Sequence, residues 1–379
     1  MATTLSLHFP CQSLCFQSAS RNNELFPSSF REAHVSDKNF DRYRFLTVTS
    51  RRNFYHPTLF ALNNLSAPTS TAKASVSREP MVPPYNILIT GSTKGIGYAL
   101  AKEFLKAGDN VLISSRSHER VKSTVQILRE EFGEQHVWGT KCDVREGQDV
   151  KDLVIFAKEN LKYIDIWINN AGSNAYSYKP LAEASDEDLI EVVTTNSLGL
   201  MICCREAMKM MQNQPRGGHI FNIDGAGSDG RPTPRFAAYG ATKRSVVHLT
   251  KSLQAELQMQ DVKNVLVHTL SPGMVTTDLL MSGATTKQAK FFINVLAEPA
   301  EVVAEYLVPN IRSILSNGST RPTYIRFLTG MKAYSQIFSV KIHTTCRDWL
   351  LGQEETDMSL KIEPDMIIVH DCIQLYNVY

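Results

Sequence analysis

A tyrosine and a lysine four residues apart could form a proton-donating pair in this chain. Tyr239 and Lys243 belong to the run Tyr-Gly-Ala-Thr-Lys, which begins a segment with helical periodicity. Residues four apart on a helix project from one face, so both side chains can approach the same reacting atom. An ammonium stabilises a neighbouring phenolate, so we expect Lys243 to lower the pKa of Tyr239 from about 10 towards working pH. The alternative is that both residues lie on the solvated face of an amphipathic helix.

Three glycines could bring backbone N–H groups close to a phosphate. Gly91, Gly95 and Gly97 follow the apolar run 87–89, which is typical of a buried strand, and precede the segment 98–107, which has helical spacing. At such a strand-to-helix turn the free N–H groups and the helix dipole favour a bound anion. The motif predicts a nucleotide cofactor, although glycines also serve ordinary tight turns.

Two cations near this turn bear on which dinucleotide would bind. Lys94 precedes the second glycine, and Arg116 follows the second strand, where an acidic residue would instead bind an unphosphorylated ribose. Arginine suits bidentate phosphate contact and lysine supplies a point charge. NADPH is therefore favoured, with NADH as the alternative; two solvated surface cations would also explain the pattern.

The elements that must position these residues alternate between strand and helix. Further strands are predicted at 110–115, 137–142, 164–169, 219–223 and 264–270. Helices are predicted at 118–132, 148–161, 186–211 and 238–258. Repeated β-α-β units with apolar strands require a parallel sheet covered on both faces. The fold class is therefore α/β, a doubly wound, Rossmann-like parallel sheet in a single catalytic domain.

Composition argues against several classes of function. Among 379 residues the net charge is only +2, and the basic residues are scattered, so we expect no nucleic-acid partner. The seven cysteines form no CxxC pair and no Cys/His cluster with metal spacing, so no metal site is expected and the thiols should be reduced. No window of about twenty residues is continuously apolar, so we expect no membrane-spanning helix.

We expect the chain to divide into three parts. Residues 1–80 are rich in Ser, Thr, Asn and Arg and poor in acids, which is typical of a disordered transit peptide followed by a linker. The hydroxyl-rich start favours a chloroplast destination, and a disordered tail without targeting function is the alternative. Residues 81–330 form the expected catalytic domain, and residues 331–379 form a C-terminal extension.

Several motifs converge on one family. Over residues 85–328 they resemble the short-chain dehydrogenase/reductases, whose members transfer hydride between a nicotinamide cofactor and a carbonyl or alcohol. The resemblance implies that Tyr239 protonates the carbonyl oxygen while Lys243 also bonds the nicotinamide ribose. The motifs are the turn at 90–97, Cys142-Asp-Val144, Asn169-Asn-Ala-Gly172, Tyr239-Gly-Ala-Thr-Lys243 and Ser271-Pro-Gly-Met-Val-Thr276.

The resemblance also assigns other site residues. Asn196 would hold a water in a proton relay, because an amide both donates and accepts; the alternative is an amide that satisfies a break in the long helix. Asp143 would accept from the adenine amino group, with Val144 packed on the ring. The positions expected to line the cofactor are Gly91, Ser92, Thr93, Lys94, Gly95, Ile96, Gly97, Arg116, Asp143, Val144, Asn170, Ala171, Gly172, Tyr239, Lys243, Pro272, Gly273 and Thr276.

One position departs from the family pattern. The family usually carries Asn-Ile-Ser-Ser after its fifth strand, whereas this chain has Asn222-Ile-Asp224-Gly225. The expected catalytic hydroxyl is missing, so we nominate Ser228, in the following glycine-rich loop, as its replacement. The alternative is that Ser228 is a turn residue and Tyr239 polarises the carbonyl alone, which would favour aldehydes as substrates.

Within the family, the residues of these motifs resemble those of the plastid chlorophyll(ide) b reductase branch. That implies a chlorophyll-type pigment as substrate, contact with the thylakoid membrane surface or residence in the stroma, and a homo-oligomer or a complex with a membrane-bound related reductase. Rival hypotheses are a plastid reductase of acyl-carrier thioesters and an inactive cofactor-binding scaffold. A mobile apolar cover over the substrate is expected at 279–296, with Met281, Phe291, Phe292, Ile293, Val295 and Leu296.

Overall fold

A computed structural model describes residues 79–175, 179–281 and 287–338 of the chain. The expected transit segment, up to residue 78, lies outside the described residues. The C-terminal extension lies outside them from residue 339 onward.

Strands and helices alternate along the described chain. The strands are β1 Asn86–Thr90, β2 Asn110–Ser115, β3 Val137–Lys141, β4 Ile166–Asn169, β5 Gly218–Ile223, β6 Val265–Ser271, β7 Val275–Thr276, β8 Glu298–Pro299 and β9 Tyr324–Arg326. The helices are α1 Gly95–Lys106, α2 His118–Phe132, α3 Gly147–Leu161, α4 Asp186–Val193, α5 Leu200–Gln212, α6 Ala237–Met259, α7 Asp278–Met281, α8 Lys287–Leu296 and α9 Ala300–Ser316. Short 3-10 turns occur at Glu134–His136 and Leu181–Glu183, and residues 330–338 are helical.

Seven of the strands form one parallel sheet in the order β3-β2-β1-β4-β5-β6-β9. This confirms the predicted doubly wound α/β fold. The chain moves outward from β1 to β3 and then returns to the other side of β1 as β4. At such a reversal of strand order the neighbouring connections diverge and leave a crevice beyond the carboxyl ends of the strands. A two-stranded sheet of β7 and β8 lies outside the main sheet.

The core lies on both faces of the sheet, because successive residues of a strand point to opposite sides. On one face Ile87 and Ile89 of β1 belong to a cluster with Phe104 of α1 and Leu307 of α9. On the other face Leu88 belongs to a cluster with residues of α3, α5 and α6. Strands buried on both faces explain the near-continuous apolar runs of the sequence.

The sequence predicts one helix over 186–211, but the structure has two helices there, α4 and α5. A π-helical turn at Thr194–Gly199 separates α4 from α5. Gly199 packs against Val144, where an added Cβ would lie 2.8 Å from Cγ2. In the same turn the Asn196 amide hydrogen-bonds to Ser173. Tertiary contacts therefore set the local geometry, as is common where a π turn interrupts a helix at a functional site.

Candidate active site

A cleft of about 970 Å³ opens where the strand order reverses. Its walls come from the β1–α1 turn, the ends of β4, β5 and β6, and the first turns of α6. Most of the residues nominated from the sequence lie on these walls: Gly91, Thr93, Lys94, Gly95, Ile96, Gly97, Arg116, Val144, Asn170, Ala171, Gly172, Ser228, Tyr239, Lys243, Pro272, Gly273 and Thr276. Ser92, Asp143 and Asn196 do not line the cleft.

Tyr239 and Lys243 meet beneath the backbone that follows β5. The Lys243 ammonium lies 5.6 Å from the centroid of the Tyr239 ring and donates a hydrogen bond of 3.1 Å to the carbonyl of Ile223. A Cβ added to Gly225 would lie 2.7 Å from the Tyr239 hydroxyl and 3.3 Å from two Lys243 side-chain carbons. The helical spacing therefore brings the two groups together at the cleft, as the sequence predicted.

The protonation of this pair differs from the expectation. Burial lowers the pKa of Lys243 to about 8, against the opposing influence of Asp224. Burial also raises the pKa of Tyr239, and the charge of Asp224 raises it further. The expected lowering of the Tyr239 pKa by Lys243 is therefore not seen in this structure, because desolvation and a nearby carboxylate both favour the neutral phenol.

Ser228 and Asp224 form a hydrogen-bonded group at the cleft wall. The Ser228 hydroxyl donates to Asp224 Oδ2 at 3.3 Å, and the Tyr324 hydroxyl donates to the same oxygen at 2.6 Å. Ser228 thus lines the cleft, but its hydroxyl hydrogen is directed to Asp224. Sequence reasoning missed Tyr324, because it lies 100 residues from Asp224 on a strand of only three residues.

Asn196 ties three segments together just behind the cleft. Its Oδ1 accepts from the backbone N–H of Ser173, and its Nδ2 donates to the Ser173 carbonyl and to the Thr242 hydroxyl. Both amide hydrogens are therefore engaged by protein atoms. This geometry matches the alternative of an amide that satisfies a helix break, and the role in a water relay stays a prediction.

The β1–α1 turn is shaped to hold an anion. Gly91 has φ +65°, and a Cβ there would lie 2.9 Å from Ala171 Cα, so only glycine fits without strain. Lys94 precedes α1 without any side-chain cap, and the first turn of the helix carries no acidic residue. The first N–H groups of α1 therefore remain available beside the cleft. Ser92 instead faces the sheet, where its hydroxyl donates to Ile89 and accepts from the Ser114 amide.

Three cations line the end of the cleft beside the glycine turn. Lys94 forms an ion pair of 2.9 Å with Asp278 of α7, and Arg116 forms one of 2.8 Å with Glu191 of α4. Arg120, in the first turn of α2, is the third, and sequence reasoning missed it although it follows Arg116 by only four residues.

Arg145 forms ion pairs with two acidic side chains next to these cations. Glu191 also pairs with Arg145, and Arg145 in turn holds the Asp143 carboxylate at 2.6 Å. The resemblance assigned Asp143 to the adenine. In the structure the Asp143 carboxylate is paired with Arg145, and Asp143 does not line the cleft. Burial is the largest single influence and raises the pKa of Asp143, but the hydrogen bonds and charge of Arg145 together outweigh it, so the pKa is lowered.

Part of the cleft wall is apolar. Met274, Leu279, Leu280, Leu296 and Leu328 line it. Of the expected cover at 279–296, Ile293 and Leu296 are buried and Met281 is exposed. The side chains of Phe291 and Phe292 lie outside the described residues.

Comparison with known proteins assigns the family. Residues 85–288 match the sequence profile of the family described as short chain dehydrogenase. The chain belongs to the short-chain dehydrogenase family. Its cleft at the reversal of strand order and its Tyr239–Lys243 pair therefore lie in an established oxidoreductase framework.

Two relatives of this short-chain dehydrogenase are named chlorophyll(ide) b reductase NOL, chloroplastic. The Arabidopsis thaliana protein is 84% identical over 268 residues, which cover 71% of this chain and 77% of that protein. The Oryza sativa subsp. japonica protein is 82% identical over 262 residues, covering 69% and 76%. A third relative, probable chlorophyll(ide) b reductase NYC1 of the same rice, is 46% identical over 261 residues, covering 65% and 50%.

Solved structures share the fold of this short-chain dehydrogenase. An actinorhodin polyketide ketoreductase with NADPH has a TM-score of 0.56 and 26% identity, over 65% of this chain and 97% of that one. A 3-ketoacyl-(acyl-carrier-protein) reductase of Brucella melitensis complexed with NADH has a TM-score of 0.55 and 24% identity, over 65% and 98%. At that identity the second likeness shows the fold alone.

The described ranges contain neither a candidate metal cluster nor a candidate membrane span. Among residues 79–175, 179–281 and 287–338, no group of three or more His, Cys, Asp or Glu side chains could hold a metal ion. No helix in those same ranges is both long and apolar enough to cross a bilayer. The cysteines described, Cys142, Cys203 and Cys204, are buried free thiols, and burial raises the pKa of each.

Proposed function

We propose that this protein uses NADPH to reduce the C7 formyl group of chlorophyll(ide) b to a hydroxymethyl group. The observation that carries the proposal is 84% identity to the Arabidopsis thaliana relative named chlorophyll(ide) b reductase NOL, over 77% of the relative's length. Tyr239 and Lys243 lie on the wall of a cleft that is also lined by apolar side chains, among them Met274, Leu280 and Leu328. An apolar lining suits a flat macrocycle, and the same level of identity favours this reaction over the reduction of acyl-carrier thioesters.

The chain's residues fit a phosphorylated dinucleotide. The uncapped N-terminus of α1 and the glycine turn would hold the pyrophosphate, because free N–H groups and the helix dipole favour an anion. Lys94, Arg116 and Arg120 would hold a 2′-phosphate, with Asp278 and Glu191 exchanged for the phosphate as their partners. The bound cofactor would supply the hydride to the formyl carbon. NADH stays the alternative cofactor.

Tyr239 would supply the proton. Its hydroxyl lies at the cleft and its neutral form is favoured, so it is available as an acid for the formyl oxygen. Gly225 leaves the space above this hydroxyl free of a side chain, so Tyr239 would bond the substrate oxygen without a second hydroxyl at position 225. An aldehyde needs less polarisation than a ketone. Ser228 would help only if its hydroxyl turned away from Asp224.

The cellular context follows from the same relatives and from composition. We propose that residues 1–80 are a chloroplast transit peptide, that residues 81–330 are the catalytic domain, and that residues 331–379 are an extension to it. The relatives named chloroplastic support the organelle. We further propose contact with the thylakoid surface and assembly as a homo-oligomer or with a membrane-bound related reductase. Import into isolated chloroplasts followed by separation of thylakoids from stroma tests the transit peptide and the thylakoid contact.

The direct test uses the full chain with NADPH and chlorophyllide b. Reduction of the formyl group changes the pigment absorption spectrum, so turnover can be followed optically. We expect turnover by the wild-type protein and a loss of about 10²–10⁴-fold in Tyr239→Phe, the range for removal of a general acid. The Tyr239→Phe variant should still bind NADPH, which fluorescence titration would confirm.

Two outcomes would overturn the proposal. Reduction of an acyl-carrier thioester without turnover of the pigment would assign the chain to the rival carbonyl reductase. NADPH binding without turnover of either substrate would make it a cofactor-binding scaffold.

A further inference from the structure

Asp224 occupies the position where the family pattern has a hydroxyl residue. It directly follows β5, between Ile223, whose carbonyl accepts from Lys243, and Gly225, where an added Cβ would lie 2.7 Å from the Tyr239 hydroxyl. Its neighbours in the chain thus lie beside both members of the proton-donating pair. Asp224 itself is 3% exposed and lies on the cleft wall.

The hydrogen bonds around Asp224 identify it as an acceptor. Arg326 donates to the Tyr324 hydroxyl oxygen at 3.0 Å, and arginine has no acceptor atom. The Tyr324 hydrogen is therefore free to point to Asp224 Oδ2, 2.6 Å away, where the Ser228 hydroxyl also donates. Oδ2 thus accepts two O–H bonds, whereas Oδ1 is buried without a hydrogen-bond partner in the described part of the structure.

The charged and titratable groups that face Asp224 come from two elements. Tyr239 and Lys243 face it from α6, while Tyr324 and Arg326 face it from β9. For Tyr239 and Lys243, Asp224 is the charged group that shifts the pKa, and it raises the pKa of both. Burial raises the pKa of Asp224 itself, against donation from its hydroxyl partners and the charge of Lys243.

We propose that the Asp224 carboxylate holds Tyr239 and Lys243 in their protonated forms, and that Asp224 is thereby a positioning residue for the reduction. This inference rests on the proposed function. In each turnover the formyl carbon gains a hydride from the reduced nicotinamide, and the formyl oxygen gains the Tyr239 hydroxyl proton. The Tyr239 phenolate then regains a proton from solvent. A nearby negative charge favours the protonated state of both groups, so Tyr239 and Lys243 keep their protons to a higher pH.

The kinetic test is the pH dependence of kcat/KM for chlorophyllide b reduction in the full chain. In Asp224→Asn the alkaline fall of kcat/KM should move to lower pH by about one unit or more, a tenfold change in proton concentration. Asp224→Ser, which restores the family residue, should shift it likewise, whereas Asp224→Glu should retain the wild-type position. Asp261→Asn removes an exposed carboxylate that lies away from the cleft and should leave the profile unchanged. An unshifted alkaline limb in both neutral variants would overturn the inference.

A second measurement is independent of any substrate. With tyrosine labelled at ¹³Cζ, the Tyr239 signal is assigned by its absence in Tyr239→Phe, and its shift reports phenolate formation. Phenolate should form at lower pH in Asp224→Asn and Asp224→Ser than in the wild-type protein. Equal titration in all three would overturn the inference even if the pigment is reduced. Conversely, an earlier phenolate without turnover of the pigment would keep the electrostatic role and reject the proposed function.

Discussion

At the scale of single residues, Gly225 sets how the substrate oxygen can be held. The missing serine suggests that restoring a hydroxyl at Gly225 would improve the enzyme. The structure predicts the opposite, because a Cβ at this position would lie 2.7 Å from the Tyr239 hydroxyl. Such a contact is well inside van der Waals distance, so Tyr239 would have to shift.

Gly225→Ser should therefore lower kcat/KM for the pigment by about tenfold or more, since small misplacements of reacting groups are costly. Steady-state kinetics on the full chain would measure this, with circular dichroism to confirm folding. Gly147→Ser is the matched control, because nothing lies within 4 Å of its added Cβ. Unchanged or increased activity in Gly225→Ser would contradict this account of the site.

The sequence was a good guide to single residues when their roles depend on neighbours in the chain. The spacing of Tyr239 and Lys243 and the order of glycines before α1 are local features, and both reach the cleft. The environment of each group was not accessible in this way. The raised pKa of Tyr239 depends on burial and on Asp224, neither of which the Tyr-x-x-x-Lys spacing reveals.

At the scale of elements, the connection from β2 to α2 should determine which cofactor is preferred. Arg116→Gln removes a bidentate phosphate partner, so the KM for NADPH should rise by about tenfold or more while the KM for NADH changes little. Lys122→Gln, an exposed lysine on the same helix and away from the cleft, should leave both values unchanged. Equal increases for NADPH and NADH in Arg116→Gln would show that no 2′-phosphate binds there.

Some strands and helices could be predicted from the sequence, and others could not. Five of the first six strands could be predicted because each is an apolar run bounded by turns and buried on both faces of the sheet. The other, β3, is an edge strand that buries only Val137, and its place in the alternation of strands and helices made it predictable. The strand β9 could not be predicted, since it has three residues, of which only Ile325 is partly buried, and it pairs with a strand far earlier in the chain. Yet β9 supplies Tyr324, which bonds Asp224. The π turn at Thr194–Gly199 escaped prediction because contacts from distant segments impose it on a sequence with helical periodicity.

At the scale of the whole molecule, a buried histidine pair should make stability depend on pH. His219 and His268 lie on the adjacent strands β5 and β6 with their ring nitrogens 3.0 Å apart. Burial, reinforced by His219, holds the pKa of His268 well below its usual value. Below about pH 6.5 the unfolded chain therefore takes up a proton that the folded protein excludes, and the free energy of unfolding falls as pH decreases.

Urea unfolding of the wild-type protein and His268→Gln between about pH 7.5 and pH 5.5 would measure this effect. The wild-type protein should lose up to about 1.4 kcal/mol per pH unit more than the variant below about pH 6.5, and the two should run parallel above it. Parallel curves through the entire range would mean that His268 is protonated in the folded state.

The central claim is that the cleft joins a nicotinamide cofactor and the Tyr239 hydroxyl at one formyl group. NADPH with deuterium at both nicotinamide C4 positions tests it most directly, with mass spectrometry of the pigment after incubation with the full chain and chlorophyllide b. The account predicts a hydroxymethyl product that carries one deuterium on its new C–H bond, formed about 10²–10⁴-fold more slowly with Tyr239→Phe. A product without deuterium, or formation of the labelled product at the same rate by Tyr239→Phe, would contradict it.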